Sequence, residues 1–233
     1  MTSNVLPSQG AGPHHAEHAH EHAADHDHHG LLPYTVESHP VTGVYSGKLG
    51  TWLFLASEVM LFGALFSTYI LLKLTAPAEG AAAWPTHQER HLSWVVGGIN
   101  TLVLIISSVT MVMAWASLKM NNLSKARIYL GITLALATLF LVFKLFLEYI
   151  PHWHDGYTTS HSNFFGLYYT MTGLHGLHIV GGIIVIGYFL LPGASLWHKN
   201  PEYYTNRIEC TGLYWHFVDL VWIFLFPTLY LMD

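Results

Sequence analysis

The stretch from Thr211 to Leu231 reads TGLYWHFVDLVWIFLFPTLYL, and its length and apolar composition predict a membrane-spanning helix. His216 and Asp219 lie inside this stretch, three residues apart, so they share one helical face. An ionised Asp at the bilayer centre costs roughly 2.5–3.5 kcal/mol on insertion scales, and such residues normally face a protein interior. The stretch therefore predicts that the rest of the chain surrounds it and supplies polar partners.

The composition of the whole chain fits a membrane protein. Of 233 residues, 52% are hydrophobic and 10% are charged, whereas soluble domains carry about 25% charged residues. The net charge is -5, and the sequence lacks the basic stripe of a nucleic-acid-binding protein, so we expect no nucleic-acid partner. Cys210 is the single cysteine, which excludes an internal disulfide. The N-terminus has no basic region followed by an apolar run, so we expect no cleavable signal peptide.

Five apolar segments each reach the ~20 residues that a helix needs to cross ~30 Å of hydrocarbon. Short loops punctuated by proline separate them, and tryptophans lie near the proposed interfaces. The pattern predicts an all-α integral membrane bundle of five transmembrane helices, which form a domain over residues 48–233. The predicted helices cover about residues 49–74, 92–118, 128–150, 164–191 and 211–231.

The basic residues predict the orientation of the bundle. Lys48 lies on the same side as two connections, the one between the second and third helices and the one between the fourth and fifth. The basic residues of these two connections are Lys119, Lys125, Arg127, Lys199 and Arg207. The opposite loops carry only Lys73 and Arg90. The positive-inside rule therefore places the N-terminus in the cytoplasm and the C-terminus outside.

Residues 1–47 form a separate region without a sustained apolar period, and we expect a flexible tail. Its histidines are interspersed with Glu and Asp, so two interpretations stay open: a solvated tail, or a site for copper, zinc or nickel. The candidate ligands for such a site are His14, His15, His18, His20, His22, His26, His28 and His29.

Ionisable side chains inside the predicted helices are candidates for function. Glu58 lies about 12 Å inward from Gly50 at 1.5 Å per residue, and Asp219 lies at a similar depth from Thr211. One hypothesis makes such groups interhelical hydrogen-bond partners, which contribute about 0.6 kcal/mol each. The other makes them a proton-handling or lipid-headgroup site, with Glu58 as the proton-handling candidate. The buried polar network comprises His175, His178, His216, Asp219, Lys144 and Glu148.

The spacing of these residues restricts their chemistry. Lys144 and Glu148 lie four apart, so they can form an ion pair. His175 and His178 lie three apart on one helix and cannot occupy opposite axial positions on one haem iron. Together with His216 and Asp219 they have the residue types for zinc or iron, but hydrogen bonding between helices is the favoured role. We therefore expect no metal or haem on this chain.

Three runs of sequence carry a resemblance to a known family. They are WLFLASEVMLFG from Trp52 to Gly63, TGLHGLHIVGG from Thr172 to Gly182, and ECTGLYWHFVDLVWIFLFPTLY from Glu209 to Tyr230. In this order they resemble subunit III of the haem-copper terminal oxidases, the cytochrome c oxidase family. The likeness covers nearly all of the chain beyond residue 48.

The resemblance implies a subunit without a redox centre, packed against a catalytic subunit I that holds haem and copper, in a complex with a copper-bearing subunit II. In that family the Ser-Glu-Val motif carries a carbodiimide-reactive membrane carboxyl, which matches Glu58. The resemblance also implies structural phospholipid, support of proton uptake, and protection of subunit I. Glu58, Arg127 and Arg207 are the lipid-headgroup candidates.

The longer form of the family has seven helices, so this chain resembles the five-helix form. The resemblance implies a respiratory membrane, the bacterial plasma membrane, and a possible respiratory supercomplex. Two alternatives stay open: an accessory subunit of a quinol oxidase or nitric oxide reductase, and a stand-alone proton-coupled transporter.

Overall fold

The computed structural model describes residues 45–77, 84–86, 92–154, 156 and 162–232. These residues form helices and connecting turns without a strand, which confirms the predicted all-α class. Five helical spans are long and apolar enough to cross a membrane, so the chain is an integral membrane protein. The predicted histidine-rich tail lies outside the described residues.

The long helices begin and end close to the predicted positions at most boundaries. They are α1 (Ser46–Thr75), α2 (Trp94–Lys119), α3 (Leu123–Lys144), α5 (Asn163–Leu190) and α7 (Pro201–Phe226). Two short helices, α4 (Ile150–His154) and α6 (Ser195–Lys199), accompany them. Single π-helical turns follow α3 and α7, at Leu145–Tyr149 and Pro227–Leu231, and a 3₁₀ turn spans Pro192–Ala194.

Side chains at the N-caps fix where four of these helices start. Ser93, Asn122, Ser162 and Asn200 each accept a hydrogen bond from the backbone N–H three residues further on. These bonds satisfy N–H groups that have no partner within the helix. Pro201 follows Asn200 at the first helical position, where its missing N–H loses nothing.

The caps also explain two differences from the predicted boundaries. The last helix begins at Pro201 rather than Thr211, and the third begins at Leu123 rather than Ile128. The polar residues at these starts carry no membrane signal, yet they continue the helices. Arg127 and Arg207 therefore lie in the second turns of α3 and α7 instead of in loops.

The helix α7 lies at the centre of the bundle, where it packs on α1, α2 and α5. Of the residues in the apolar 18-residue window of its membrane span, 44% are buried, whereas 17% are buried in the corresponding window of α1. Trp215 and Trp222 are among its fully buried side chains. The helix that contains Thr211 to Phe226 is therefore the central element of the bundle, while α1 lies at the edge.

Glycines allow the closest helix contacts. A Cβ atom at Gly182 in α5 would lie 2.5 Å from Cζ3 of Trp215 in α7. A Cβ atom at Gly97 in α2 would lie 2.6 Å from Cε2 of Phe226. Small residues let helices in membranes approach closely enough for van der Waals packing to hold them together.

Candidate functional site

Glu58 on α1 and His178 on α5 form a direct contact between helices. Glu58 Oε2 lies 2.9 Å from His178 Nε2, and each side chain is 14% exposed. The Phe62 ring packs edge-on against the imidazole, with the ring centroids 5.4 Å apart. Tyr214 on α7 donates a hydrogen bond to the backbone carbonyl of His178 at 2.8 Å. The carboxyl group is thus held against an imidazole within the bundle.

The hydrogen bonds fix how many protons this pair carries. His178 Nδ1 lies 2.8 Å from the carbonyl oxygen of Leu174, and a carbonyl only accepts, so Nδ1 is the protonated donor. The bond between Nε2 and Glu58 then needs one further proton. That proton belongs either to an imidazolium facing a carboxylate or to a carboxylic acid facing a neutral imidazole. The pair therefore shares one proton across a hydrogen bond between α1 and α5.

His175 does not join this pair, although it lies three residues away on the same helix. Its ring stacks on Trp222 of α7 at a centroid distance of 5.2 Å and packs edge-on against Phe140 of α3 at 5.9 Å. Neither ring nitrogen has a hydrogen-bond partner among the described residues. Both histidines thus contact α7, but His178 also contacts α1 while His175 contacts α3.

His216 and Asp219 also diverge from the predicted arrangement. His216 Nδ1 lies 2.6 Å from Oγ of Ser108 on α2. Asp219 is 4% exposed, and neither carboxyl oxygen makes a hydrogen bond of normal geometry among the described residues, although the carboxyl group lies close enough to the Ser108 hydroxyl to interact with it. Ser108, rather than Asp219, is therefore the partner of His216.

These placements bear on the metal hypothesis. Within the described ranges, His175, His178, His216 and Asp219 do not gather into a group that could hold a metal ion. The tail histidines lie outside those ranges. Their positions on shared helical faces suggested that these polar residues lie together. In the structure they are distributed over separate contacts between helices.

Lys144 and Glu148 form the ion pair that their spacing predicts. The Lys144 ammonium also donates to the hydroxyl of Tyr168, at 3.0 Å, and to that of Tyr230. Both tyrosine hydroxyls donate to Glu148 Oε2, at 2.8 Å and 2.5 Å respectively. The π-helical turn Leu145–Tyr149 contains Glu148. The cluster joins α3, α5 and the C-terminal turn of the chain.

Aromatic rings complete the environment of this ion pair. The Lys144 nitrogen lies 5.0 Å from the ring centroids of Tyr168 and Tyr230 and 5.1 Å from that of Trp222. Rings at this distance attract a cation through their quadrupole. Breaking a buried pair by removing one partner typically costs about 3–5 kcal/mol, because the remaining charge is uncompensated. The arrangement fits a structural junction.

At the end of the bundle where α7 begins, polar contacts attach α1 to α7. Lys48 pairs with Glu209 at 2.6 Å. The Tyr45 hydroxyl donates to the carbonyl of Asn206 at 2.8 Å and lies 3.1 Å from Cys210 Sγ. Burial and the contact with Cys210 raise the pKa of the Tyr45 phenol well above its usual value.

The two arginines proposed as lipid ligands belong to the ends of α3 and α7. Arg127 is exposed. Arg207 donates to the Tyr203 hydroxyl and lies 4.8 Å from the centroid of that ring. Both guanidinium groups are on helix ends that share one side of the bundle in the predicted topology.

Sequence reasoning missed most of the neutral partners. Ser108, Tyr168, Tyr230 and Tyr214 complete the contacts of His216, Glu148 and His178, yet no spacing links them in the sequence. The one available signal was depth, since partners on neighbouring helices must lie at the same level in the membrane.

Comparison with known proteins gives one consistent family. The family model described as cytochrome c oxidase subunit III matches residues 34–233. Cytochrome c oxidase subunit 3 of Alkalihalophilus pseudofirmus is 35% identical over 204 residues, which cover 84% of this chain and 92% of that protein. The Bacillus subtilis protein of the same name is 34% identical, over 79% of this chain and 85% of its own length.

A ubiquinol oxidase subunit also matches. Cytochrome bo(3) ubiquinol oxidase subunit 3 of Pseudomonas aeruginosa is 30% identical over 220 residues, which cover 94% of this chain and 95% of that protein. The relatives are thus named as third subunits of oxidases, and they do not favour the nitric oxide reductase or transporter alternatives.

Five spanning helices around buried polar contacts define a helical-bundle integral membrane protein. The chain belongs to the cytochrome c oxidase subunit III family, a non-redox subunit of the haem-copper oxidases. As an oxidase subunit it works in a complex with other oxidase subunits.

Proposed function

We propose that this chain is the non-catalytic subunit III of a respiratory oxidase of the cytochrome c oxidase type. The complex reduces oxygen and pumps protons, and this subunit supports proton uptake by subunit I and its stability during turnover. The family match over residues 34–233 is the observation that carries the proposal. Subunit I, in direct contact, and subunit II are the proposed partners; haem and copper belong to them.

The contact between Glu58 and His178 supports a role in proton uptake. It holds one exchangeable proton in a position where both side chains are still 14% exposed. A proton can therefore arrive from the surface of the bundle and be held there before it passes to subunit I. We propose that Glu58 is the carbodiimide-reactive carboxyl of the family motif.

We propose lipid binding as a second role of the subunit. Arg127 and Arg207 lie near the starts of α3 and α7, where phosphate headgroups meet the basic side of the bundle. Glu58 lies deeper and contacts His178, so its proposed effect on headgroups acts where α1 meets α5 rather than at the rim. Undiminished phospholipid in the purified Glu58→Ala complex would contradict that effect.

The membrane arrangement follows the basic residues. We propose a cytoplasmic N-terminus, an external C-terminus and a bacterial plasma membrane, with the histidine-rich residues before α1 as a separate tail, for which a solvated role and a metal site both stay open. The longer form of the family has two further helices, and in the five-helix form these are either supplied by an extended subunit I or absent. A respiratory supercomplex is a further proposed partner.

Gentle-detergent purification through this chain tests the proposed function. We expect a large catalytic subunit and haem to co-purify, with the haem absorption absent from this chain once the subunits are separated. Mass analysis identifies the accompanying subunits and any lipid. A colourless, monodisperse five-helix protein from cells that express the oxidase would contradict the proposal and return attention to the transporter alternative.

A further inference from the structure

A cavity of about 410 Å³ opens between α3 and α5, and neither Glu58 nor His178 lines it. The exposed side chains of Leu145, Leu177 and Val180 belong to its walls, so the cavity opens to the outside of the bundle. Its volume lies within the range of about 300–1,000 Å³ that is usual for small-molecule sites.

Glycine and a π-helical turn shape the cavity. Gly176 lines it, and a Cβ atom there would meet no heavy atom of the described residues within 4 Å. On the facing wall, Leu145 and Tyr149 begin and end the π-helical turn. Single π-helical turns occur frequently at functional sites. The groove is therefore open because α5 carries no side chain at Gly176.

His175 supplies an unused polar group in the wall of this cavity. It is 1% exposed, and neither ring nitrogen has a partner among the described residues. A neutral imidazole offers one hydrogen-bond donor and one acceptor. Trp222, which stacks on His175, and Phe140 also line the cavity. Lys144, Tyr149 and Thr172 line the cavity as well, but Lys144 pairs with Glu148, and Tyr149 pairs with Thr172. The site thus combines aromatic walls with the imidazole of His175, whose nitrogens have no partner among the described residues.

The depth of His175 restricts what could satisfy it. The residue lies about 18 Å along α5 from Asn163 and about 22 Å from Leu190, at 1.5 Å per residue. It is therefore near the middle of the membrane. Phospholipid headgroups lie outside a hydrocarbon layer that extends about 15 Å to each side of the midplane. A ligand of His175 must carry its polar group into the hydrocarbon.

We propose that this cavity binds a quinone of the surrounding membrane. A quinone has a planar ring that fits between aromatic walls, ring oxygens that hydrogen-bond with an imidazole, and an apolar tail that extends into the bilayer past Leu177. The proposal concerns binding alone, and no electron transfer to this chain is part of it.

Photolabelling of the purified chain with its companion subunits tests the proposal. A short-tailed azido-ubiquinone is the probe, unlabelled decylubiquinone is the competitor, and mass spectrometry maps the modified peptides. We expect saturable labelling within residues 140–149 and 172–180 that excess decylubiquinone removes. A photoreactive phosphatidylethanolamine serves as the second probe. Any labelling of these peptides by this lipid should not decrease when decylubiquinone is added.

Two substitutions on α5 make the test specific. Gly176→Phe places a ring in the groove and should reduce the labelling at least about tenfold. Gly187→Phe is the matched control, because a Cβ atom there also meets no described heavy atom within 4 Å, and Gly187 does not line the cavity. His175→Leu should raise the half-saturating probe concentration about 3- to 10-fold, as expected for one lost hydrogen bond.

Several results would overturn the proposal. Labelling that excess decylubiquinone does not reduce would show only nonspecific contact of the probe with the chain from the lipid phase. Labelling by the phospholipid probe alone assigns the cavity to lipid. If Gly176→Phe prevents assembly, His175→Leu decides: unchanged half-saturation in the assembled His175→Leu complex removes the imidazole from the site and rejects the quinone.

Discussion

The buried ionisable residues find partners to very different degrees. Lys144 and Glu148 share a network with two tyrosine hydroxyls, and Glu58 shares a proton with His178. Asp219 has no hydrogen-bond partner among the described residues. Charged groups in a membrane are costly unless paired. Glu148 is therefore the most fully partnered of these carboxyl groups, Glu58 has one polar partner, and Asp219 has the fewest contacts.

Replacement of Glu58 by Gln tests proton carrying. The amide keeps the shape of the side chain and can donate to His178 Nε2, so we expect normal assembly. The exchangeable proton is lost, and turnover of the oxidase should fall most at alkaline pH, where protons are scarce. The measurement is the pH profile of oxygen consumption by the purified complex, together with carbodiimide labelling of the α1 peptide, which should disappear.

Glu202→Gln is the control for this substitution, because Glu202 lies exposed in the first turn of α7. It should leave the pH profile unchanged. Equal alkaline turnover of the assembled Glu58→Gln and wild-type complexes would remove Glu58 from proton uptake.

The contacts of His216 make a second prediction about single residues. Ser108→Ala leaves His216 Nδ1 without its hydrogen bond and should destabilise the complex by about 1–3 kcal/mol. Asp219→Leu, which removes a buried carboxyl without a partner, should be nearly neutral or stabilising. Thermal loss of the assembled complex in detergent measures both. A larger loss for Asp219→Leu than for Ser108→Ala would show that Asp219 has a partner in the complex.

The candidate site was only partly predictable from the sequence. Helical spacing predicts the Lys144–Glu148 pair, because four residues bring two side chains together on one helix. The same rule places His175 and His178 on one face, but residues three apart are about 60° apart around the axis, so His178 contacts Glu58 on α1 while His175 packs against Phe140 on α3. The Glu58–His178 contact spans 120 positions, so no local pattern could reveal it.

At the scale of helices, the contact of α5 with α7 depends on Gly182. We expect Gly182→Val to destabilise the bundle by about 1–3 kcal/mol, since its Cβ would lie 2.5 Å from the buried Trp215 ring. Gly187→Val on the same helix is the matched control, because it faces open space within the described residues. Yield and thermal stability of the complex measure the difference; equal values for the two variants would contradict the prediction.

Hydropathy predicted the number of spanning helices and most of their positions. It placed the start of α7 too late because Pro201 to Cys210 is polar, and only the Asn200 cap marks the true start. It also gave no sign of the π-helical turn at Leu145–Tyr149, because one altered hydrogen-bond register leaves the apolar pattern intact. Caps and backbone register are local features that an average over 20 residues removes.

For the whole molecule, the proposed orientation predicts which residues face each compartment. In a Cys210→Ser background, Lys125→Cys should react with a membrane-impermeant maleimide only from the cytoplasmic side. His154→Cys should react only from the external side. Right-side-out and inverted vesicles compared by mass shift give the measurement. Reaction of Lys125→Cys with the maleimide in right-side-out vesicles would show that the topology is the reverse of the proposed one.

The attachment of α1 has a consequence for how the protein is made. Its contacts join Tyr45 to Asn206, Lys48 to Glu209, and Tyr69 to Thr228, each across about 160 positions of sequence. At roughly 5–20 residues per second, a ribosome needs about 8–32 s to produce those partners. His178, the partner of Glu58, lies 120 positions further on and needs about 6–24 s at the same rate. During biogenesis α1 is therefore in the bilayer for several seconds before Glu58 meets its imidazole, and longer before α7 attaches it.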